Sequence, residues 1–172
     1  NLSSASGPRA VLVATTGLSQ EQSTLWTKVG VTRAVLIAPN TSMGILLLSQ
    51  MVQRCASFLR ATGYDLEIHE THHRYKHDAP SGTALMLARQ FANALSGKVV
   101  LDRDGVRTAG EIGVTSSRGG TVPGEHTLRL MGGDEEIVIT HRAFSRDVFG
   151  QGVFVLLHWL MKQPPGIFHV QD

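Results

Sequence analysis

Residues 70–84 read Glu70-Thr71-His72-His73-Arg74-Tyr75-Lys76-His77-Asp78-Ala79-Pro80-Ser81-Gly82-Thr83-Ala84. A strand end delivers titratable groups here, and Pro80-Ser81-Gly82-Thr83 then opens a helix. His72, His73 and Lys76 can supply a proton and positive charge near neutral pH, because imidazole titrates in that range. The backbone N–H groups of Ser81, Gly82 and Thr83 fall at the helix start, where unpaired donors and the macrodipole attract an anion. Gly82 also lacks the side chain that would keep a ligand off the backbone. Taken singly, Pro-Ser-Gly-Thr is an ordinary helix start and clustered histidines decorate a surface loop. Their adjacency favours a pocket for a carboxylate that must be protonated.

Outward from this stretch, residues 66–70 have the length of a short strand, and residues 81–95 form a helix closed by Gly97. Its buried face is expected at Leu85, Ala88, Ala92 and Leu95. An earlier helix over residues 43–59 puts Ile45, Leu48, Val52, Cys55 and Leu59 on one face, capped by Asn40, Thr41 or Ser42. The apolar runs 11–14 and 34–38 read as buried strands around a helix at 20–29. Strand, helix, strand is the grammar of a parallel sheet whose ligands gather at the carboxyl ends of strands. Those ends carry Ala14-Thr15-Thr16-Gly17 and Ala38-Pro39-Asn40-Thr41-Ser42.

Residues 111–117, 125–131 and 136–143 have the turn-bounded spacing of strands, clearest at Ile137 and Ile139. A last helix over 148–162 carries Val153, Leu156, Leu157 and Leu160 and stops at Pro164-Pro165. The class is therefore α+β, with a mixed, largely antiparallel four-stranded sheet and two helices beside a smaller parallel α/β portion. Trp26, Phe154 and Trp159 fit helical burial. His126 and His141 fall in strand patterns and read as satisfied sheet histidines or interface residues.

The 172 residues suffice for a real core, and 16 basic against 14 acidic residues leave a charge of only +2. No basic stripe suggests nucleic acid. No apolar run approaches the roughly 20 residues that cross a bilayer, and residues 1–7 lack the basic-then-apolar order of a signal peptide. The single cysteine, Cys55, reads as a small buried side chain and suits a reducing cytoplasm.

The run from Glu70 to Ala84 resembles the signature of dihydrodipicolinate reductases, E-x-H-H-x-x-K-x-D-A-P-S-G-T-A. Further matches follow in order: Thr15-Thr16-Gly17, Asn40 with Ser42, Gly110-Glu111-Ile112-Gly113, Arg118-Gly119-Gly120, Gly124-Glu125-His126, Ile139-Thr140-His141 and Ser145-Arg146. The resemblance implies reduction of a small cyclic dicarboxylate with NADH or NADPH. His72 is then implied as proton donor to the ring, and Lys76 as second acid or electrostatic stabiliser. His73, Ser81, Gly82 and Thr83 are implied as carboxylate ligands, with Arg146 and Arg118 as weaker candidates. A solvated surface position is preferred for Arg118. Ala14, Thr15, Thr16, Pro39, Asn40, Thr41 and Ser42 are implied to hold the nicotinamide end of the cofactor.

By the same resemblance, residues 1–42 are a remnant of a Rossmann-type dinucleotide-binding domain and residues 43–147 are the substrate-binding and tetramerisation domain. Residues 148–172 are a helix returning to the first domain. A homo-oligomer, specifically a tetramer, is implied. The family opens with a strand and a G-x-x-G-x-M-G turn around the cofactor pyrophosphate, which residues 1–9 do not carry. Weak or absent turnover is therefore expected of this chain alone. Two other readings remain open: a non-catalytic dicarboxylate-binding or assembly module, and a zinc site built from His69, His72, His73 and His77 with Glu70 and Asp78. No preset ligand spacing favours zinc, and no metal is expected.

Overall fold

The structure, a computed structural model, describes residues 9–170; the signal-peptide expectation for residues 1–7 lies outside them. In chain order the elements are β1 (Ala10–Val13), α1 (Gln20–Gly30), β2 (Ala34–Ile37), α2 (Met43–Thr62), β3 (Asp65–His72) and α3 (Gly82–Leu95). They continue with β4 (Lys98–Leu101), β5 (Glu111–Arg118), β6 (Gly124–Met131), β7 (Glu136–Ala143), α4 (Asp147–Leu160) and β8 (Gly166–His169). Two compact units result. One takes in the chain up to Leu46 and from Asp147 onward, and the other runs from Leu47 to Arg146.

The first unit is a parallel sheet in the order β1-β2-β8. Leu12, Leu36 and Phe168 stand side by side across it. Central β2 is apolar throughout and nearly all buried, as a strand covered on both faces requires. Ala34 and Leu36 pack on Leu156 and Leu160 of α4. On the opposite face Gly30, at the end of α1, meets Ile167, the neighbour of Val35. Ser19 and Gln22 cap the start of α1 reciprocally, which fixes where the chain leaves the β1 turn. The reading over 34–38 anticipated β2 but not β8. Pro164-Pro165 does end the helix, and the four residues that follow are too few for an alternating pattern to register.

Helix α4 touches the loop after β2 at one point that allows no side chain. A β-carbon on Gly152 would overlap the backbone carbonyl of Thr41. The Thr41 hydroxyl in turn donates to the Phe149 carbonyl at 2.8 Å. Because backbone cannot rotate out of the way as a side chain can, Gly152→Ala is expected to cost about 1–3 kcal/mol. A urea titration would detect that loss, and an unchanged midpoint would refute the close packing.

The second unit confirms an α+β arrangement with a mixed sheet, with two corrections. The sheet has five strands, ordered β4-β5-β3-β6-β7. It is also evenly mixed, since β4/β5 and β5/β3 are parallel while β3/β6 and β6/β7 are antiparallel. The fifth strand, β4, is a four-residue run directly behind a helix and carries no alternation. Helix α3 lies over β3, β4 and β5.

Burial corrects several helix faces. In α3 the buried residues are Ala84, Leu87, Ala88, Phe91 and Ala92, while Leu85 and Leu95 are half-buried. The stripe is therefore centred on Leu87 and Phe91, which were not anticipated. In α2, Ile45, Leu48 and Leu59 are buried as expected, but Ala56 takes the inward place and Cys55 is exposed. The step from Leu48 to Ala56 is two i+4 intervals, and Cys55 falls off that line; the side chain of Val52 lies outside the described residues. Phe154 is not core, being 77% exposed. Trp159 is more than a third exposed and lays its ring edge-on to Phe168 at 5.5 Å, and Trp26 is half-buried.

Candidate active site

Strand β3 alternates strictly, so Leu66, Ile68, Glu70 and His72 all point to the buried face. Two aliphatic residues are followed by two ionisable ones on that face, and the second pair is where chemistry becomes possible. Glu70 is completely buried. Its carboxylate receives Arg118 through two hydrogen bonds of 2.7 and 3.0 Å and the Ser81 amide at 3.0 Å. It also pairs with Nδ1 of His72. Burial pushes the Glu70 carboxyl up, yet the hydrogen bonds from His72, Arg118 and the Ser81 amide outweigh it and hold the group well below the usual carboxylate range.

Arg118 is thus not the solvated surface residue expected of it. Its guanidinium is mostly buried, grips Glu70 in a fork and also donates to the carbonyls of Ser117 and Asp78. This last bond ties β5 to the loop that precedes α3. The loop is pinned again by its backbone: Gly119 donates to the His72 carbonyl at 3.0 Å and Arg74 to the Gly120 carbonyl at 3.3 Å. Gly120 has φ +53°, a left-handed conformation that glycine adopts without strain.

At the start of α3, Ser81 is the N-cap and its hydroxyl accepts from the Ala84 amide at 3.2 Å. The amide expected to stay open at Ser81 is instead engaged with Glu70. An anion does occupy the region, and it is Asp78. Lys76 donates to Asp78 at 2.6 Å. Partial burial raises the Asp78 carboxyl, while the Lys76 ammonium and the amides of Asp78 and Gly82 lower it further, so it sits below its ordinary value. The helix start therefore carries the chain's own carboxylate, Asp78, held between an ammonium and a backbone amide.

His126 was missed as part of this cluster. It lies directly across from Glu70 on β6 and is 97% buried, its relative exposure being 3%. Its Nε2 is 3.3 Å from the Ser81 hydroxyl, its ring meets that of His72 edge-on at 5.3 Å, and no hydrogen bond reaches its Nδ1. Burial, followed by the neighbouring His72, lowers its pKa to about 3, so it is neutral at physiological pH. His141, its neighbour on β7, is also lowered by burial. The signal that could have found Glu70 was the two-residue period of β3, since a residue between Ile68 and His72 on that period must face inward.

The other expected site residues are distributed as follows. His73, just past the end of β3, and Thr83, on the first turn of α3, are half-buried. Arg146 is exposed just beyond β7, and among the described residues no hydrogen bond or ion pair ties it to the cluster. In the first unit, Ala14, Thr15 and Thr16 are exposed at the carboxyl end of β1. Pro39, Asn40, Thr41 and Ser42 follow β2, where the Asn40 carboxamide accepts from the Ser42 amide at 2.8 Å. The Ser42 hydroxyl caps α2 through the Ile45 amide at 3.4 Å. Among the described residues no group of three or more His, Cys, Asp or Glu is placed to hold a metal. His69, one of the zinc candidates, faces away from Glu70 on β3 and bonds Thr115 at 2.8 Å instead.

A buried, carboxylate-braced histidine near a loop-to-helix turn that carries an ion pair, on an α+β unit, marks a candidate functional site of the class that clusters perturbed titratable groups. Comparison with known proteins makes the class specific. Residues 44–172 match the family model described as dihydrodipicolinate reductase, C-terminus, and the chain belongs to that family. It is 44% identical to a 4-hydroxy-tetrahydrodipicolinate reductase of Methanopyrus kandleri over 81% of this chain and 52% of that protein. The protein of the same name from Aquifex aeolicus is 38% identical over 95% of this chain and 63% of its own length. The chain thus spans between half and two thirds of these relatives. A solved structure, dipicolinate-bound dihydrodipicolinate reductase from Paenisporosarcina sp. TG-14, shares the fold with a TM-score of 0.74 at 24% identity, covering 93% of this chain and 62% of that one.

Proposed function

We propose that this chain supplies the substrate-binding and proton-donating part of a reductase that converts 4-hydroxy-tetrahydrodipicolinate to tetrahydrodipicolinate with NADH or NADPH, on the route to diaminopimelate and lysine. The observation that carries the reading is the Asp78 carboxylate between Lys76 and the Gly82 amide, on the same loop-to-helix turn that is tied to His72 through Glu70. A substrate carboxylate entering there competes with Asp78 for the same ammonium and amide. Thr83 and His73 extend the set of ligands, Ser81 supports it from behind through Glu70 and His126, and Arg146 is kept as a reserve contact for the second carboxylate. His72 gives a proton to the ring, and Lys76 offsets negative charge that develops beside it.

In this proposal residues 1–42 belong to a dinucleotide-binding domain, residues 43–147 to the substrate domain, and residues 148–172 return to the first. The donors at the ends of β1 and β2 suit the carboxamide end of a nicotinamide. Ala14, Thr15 and Thr16 are exposed, while Thr41 and Ser42 lock the neighbouring loop through their hydroxyls. When bound, that cofactor supplies the hydride. Among the described residues no glycine-rich turn between a strand and a helix is available for a pyrophosphate, and the first turn of α1 is already capped by Ser19. A homo-oligomer belongs to the same reading, and the exposed Ile137 and Val138 on edge strand β7 give it apolar surface. No helix among the described residues is long and apolar enough to cross a membrane.

Calorimetric titration with pyridine-2,6-dicarboxylate tests the placement of the ligand. Gly82→Asp adds bulk and a negative charge where the carboxylate is to sit, and it is expected to weaken binding about a hundredfold, or about 2.8 kcal/mol. Equal affinity in the two proteins would remove Gly82 from the site.

A further inference from the structure

We propose that Glu70, held by Arg118 and the Ser81 amide, is a positioning residue that assigns the transferable proton of His72 to Nε2. The inference deepens the proposed function and rests on its reading of His72 as the acid. Nδ1 of His72 is hydrogen-bonded to Glu70. An ionised carboxylate only accepts, so the proton in that bond belongs to the imidazole. Three groups keep Glu70 ionised and fixed: Arg118 on both oxygens, the Ser81 amide on one of them, and His72 itself. The carboxylate cannot turn away without breaking the fork and uncapping its link to α3.

The second nitrogen is left for chemistry. Nε2 of His72 faces Gly124 at the start of β6, where a β-carbon would stand only 3.0 Å away. The glycine therefore keeps that edge of the ring clear. The edge-on contact with His126 at 5.3 Å holds the ring plane from another side. The proton step follows directly. The imidazolium carries one proton on Nδ1, shared with Glu70, and one on Nε2. The electron pair of a ring carbon, made available by hydride addition, forms a C–H bond with the Nε2 proton, and the N–H electrons remain on Nε2. Neutral imidazole is left with Nδ1–H still on Glu70, so neither a ring flip nor a second transfer is needed, and solvent returns the lost proton to Nε2.

The device is visible without any ligand, so it can fail independently of the proposed function. Long-range proton–nitrogen correlation on the nitrogen-15-labelled chain reports which imidazole nitrogen of each neutral histidine bears hydrogen, and His72 is identified by the signal lost in His72→Gln. The expected result is a neutral His72 protonated on Nδ1. In the double variant Glu70→Met with Arg118→Met, which removes the buried pair together and leaves neither charge stranded, that preference should be lost. A wild-type His72 protonated on Nε2 overturns the proposal, and so does a double variant that keeps the Nδ1 proton. Should the double variant not fold, the wild-type spectrum alone decides.

Discussion

Arg118→Met is expected to lower the unfolding free energy of the second unit by about 3–5 kcal/mol, the usual cost of stranding one partner of a buried ion pair. Glu70 has no exposed side-chain surface, so the carboxylate left behind cannot recruit water without opening the sheet. The two hydrogen bonds of the fork are lost at once, and the loop carbonyl of Asp78 loses the same donor. Urea denaturation of Arg118→Met, Glu70→Met and the double variant completes a cycle. The double variant should cost clearly less than the two single changes added together, because it strands no charge. An Arg118→Met protein within 1 kcal/mol of wild type would mean that the guanidinium contributes nothing to holding Glu70.

Acidification is expected to weaken the fold earlier than carboxylate protonation alone predicts, and His126 is the reason. Its folded pKa lies near 3 against 6.5 for an ordinary histidine. Below 6.5 the unfolded chain takes up a proton that the folded chain refuses, so stability rises with pH from about 3 to about 6.5 and is level above that, with a slope of about 1.4 kcal/mol per pH unit. Glu70 acts in a separate window. Its folded pKa is depressed below 4.5, so its contribution is complete above 4.5 and declines only at lower pH. Between pH 4.5 and 6.5 the effect is therefore that of buried histidine, with His126 dominant and His141 adding in the same direction. The groups around His126 are His72, Glu70, His141 and Lys76. His126→Leu should flatten stability against pH across that window, and an unaltered slope would show that the imidazole is solvated.

How far the sequence determines an element by local pattern depends on the length of that pattern. Long elements with a clear period were legible, and α2, α3, β5, β6, β7 and α4 all begin or end within a few residues of the expected positions. Strands of four residues were legible only where a helix and a second strand gave them context, as at β1 and β2. β4 and β8 lacked that context and were passed over. Around Glu70, the residues of one continuous stretch are legible as candidates, because His72, Lys76, Ser81 and Gly82 are neighbours in sequence, whereas Asp78 enters the sequence reading only as a zinc ligand. Arg118 and His126 come from other strands, and only sheet register brings them to Glu70. No local pattern encodes which arginine will face a buried carboxylate across two strands. Phe154 and Cys55 erred for the opposite reason: their types suggested burial, whereas the stripe of their helices is set by Leu156 and Leu160 in one case and by Ala56 and Leu59 in the other.

The pairing of β8 with β2 has a consequence for how the protein is made. The segment from Leu47 to Arg146 is continuous and closes its own sheet, so it can fold as it emerges from the ribosome. The strands near the start cannot. β2 has β1 on one side but waits for β8, more than a hundred positions downstream, on the other, and α4, which covers its apolar face, also comes after the second unit. Until α4 and β8 have been made, Ala34, Leu36 and one edge of β2 stay uncovered, an opening for non-native strand pairing.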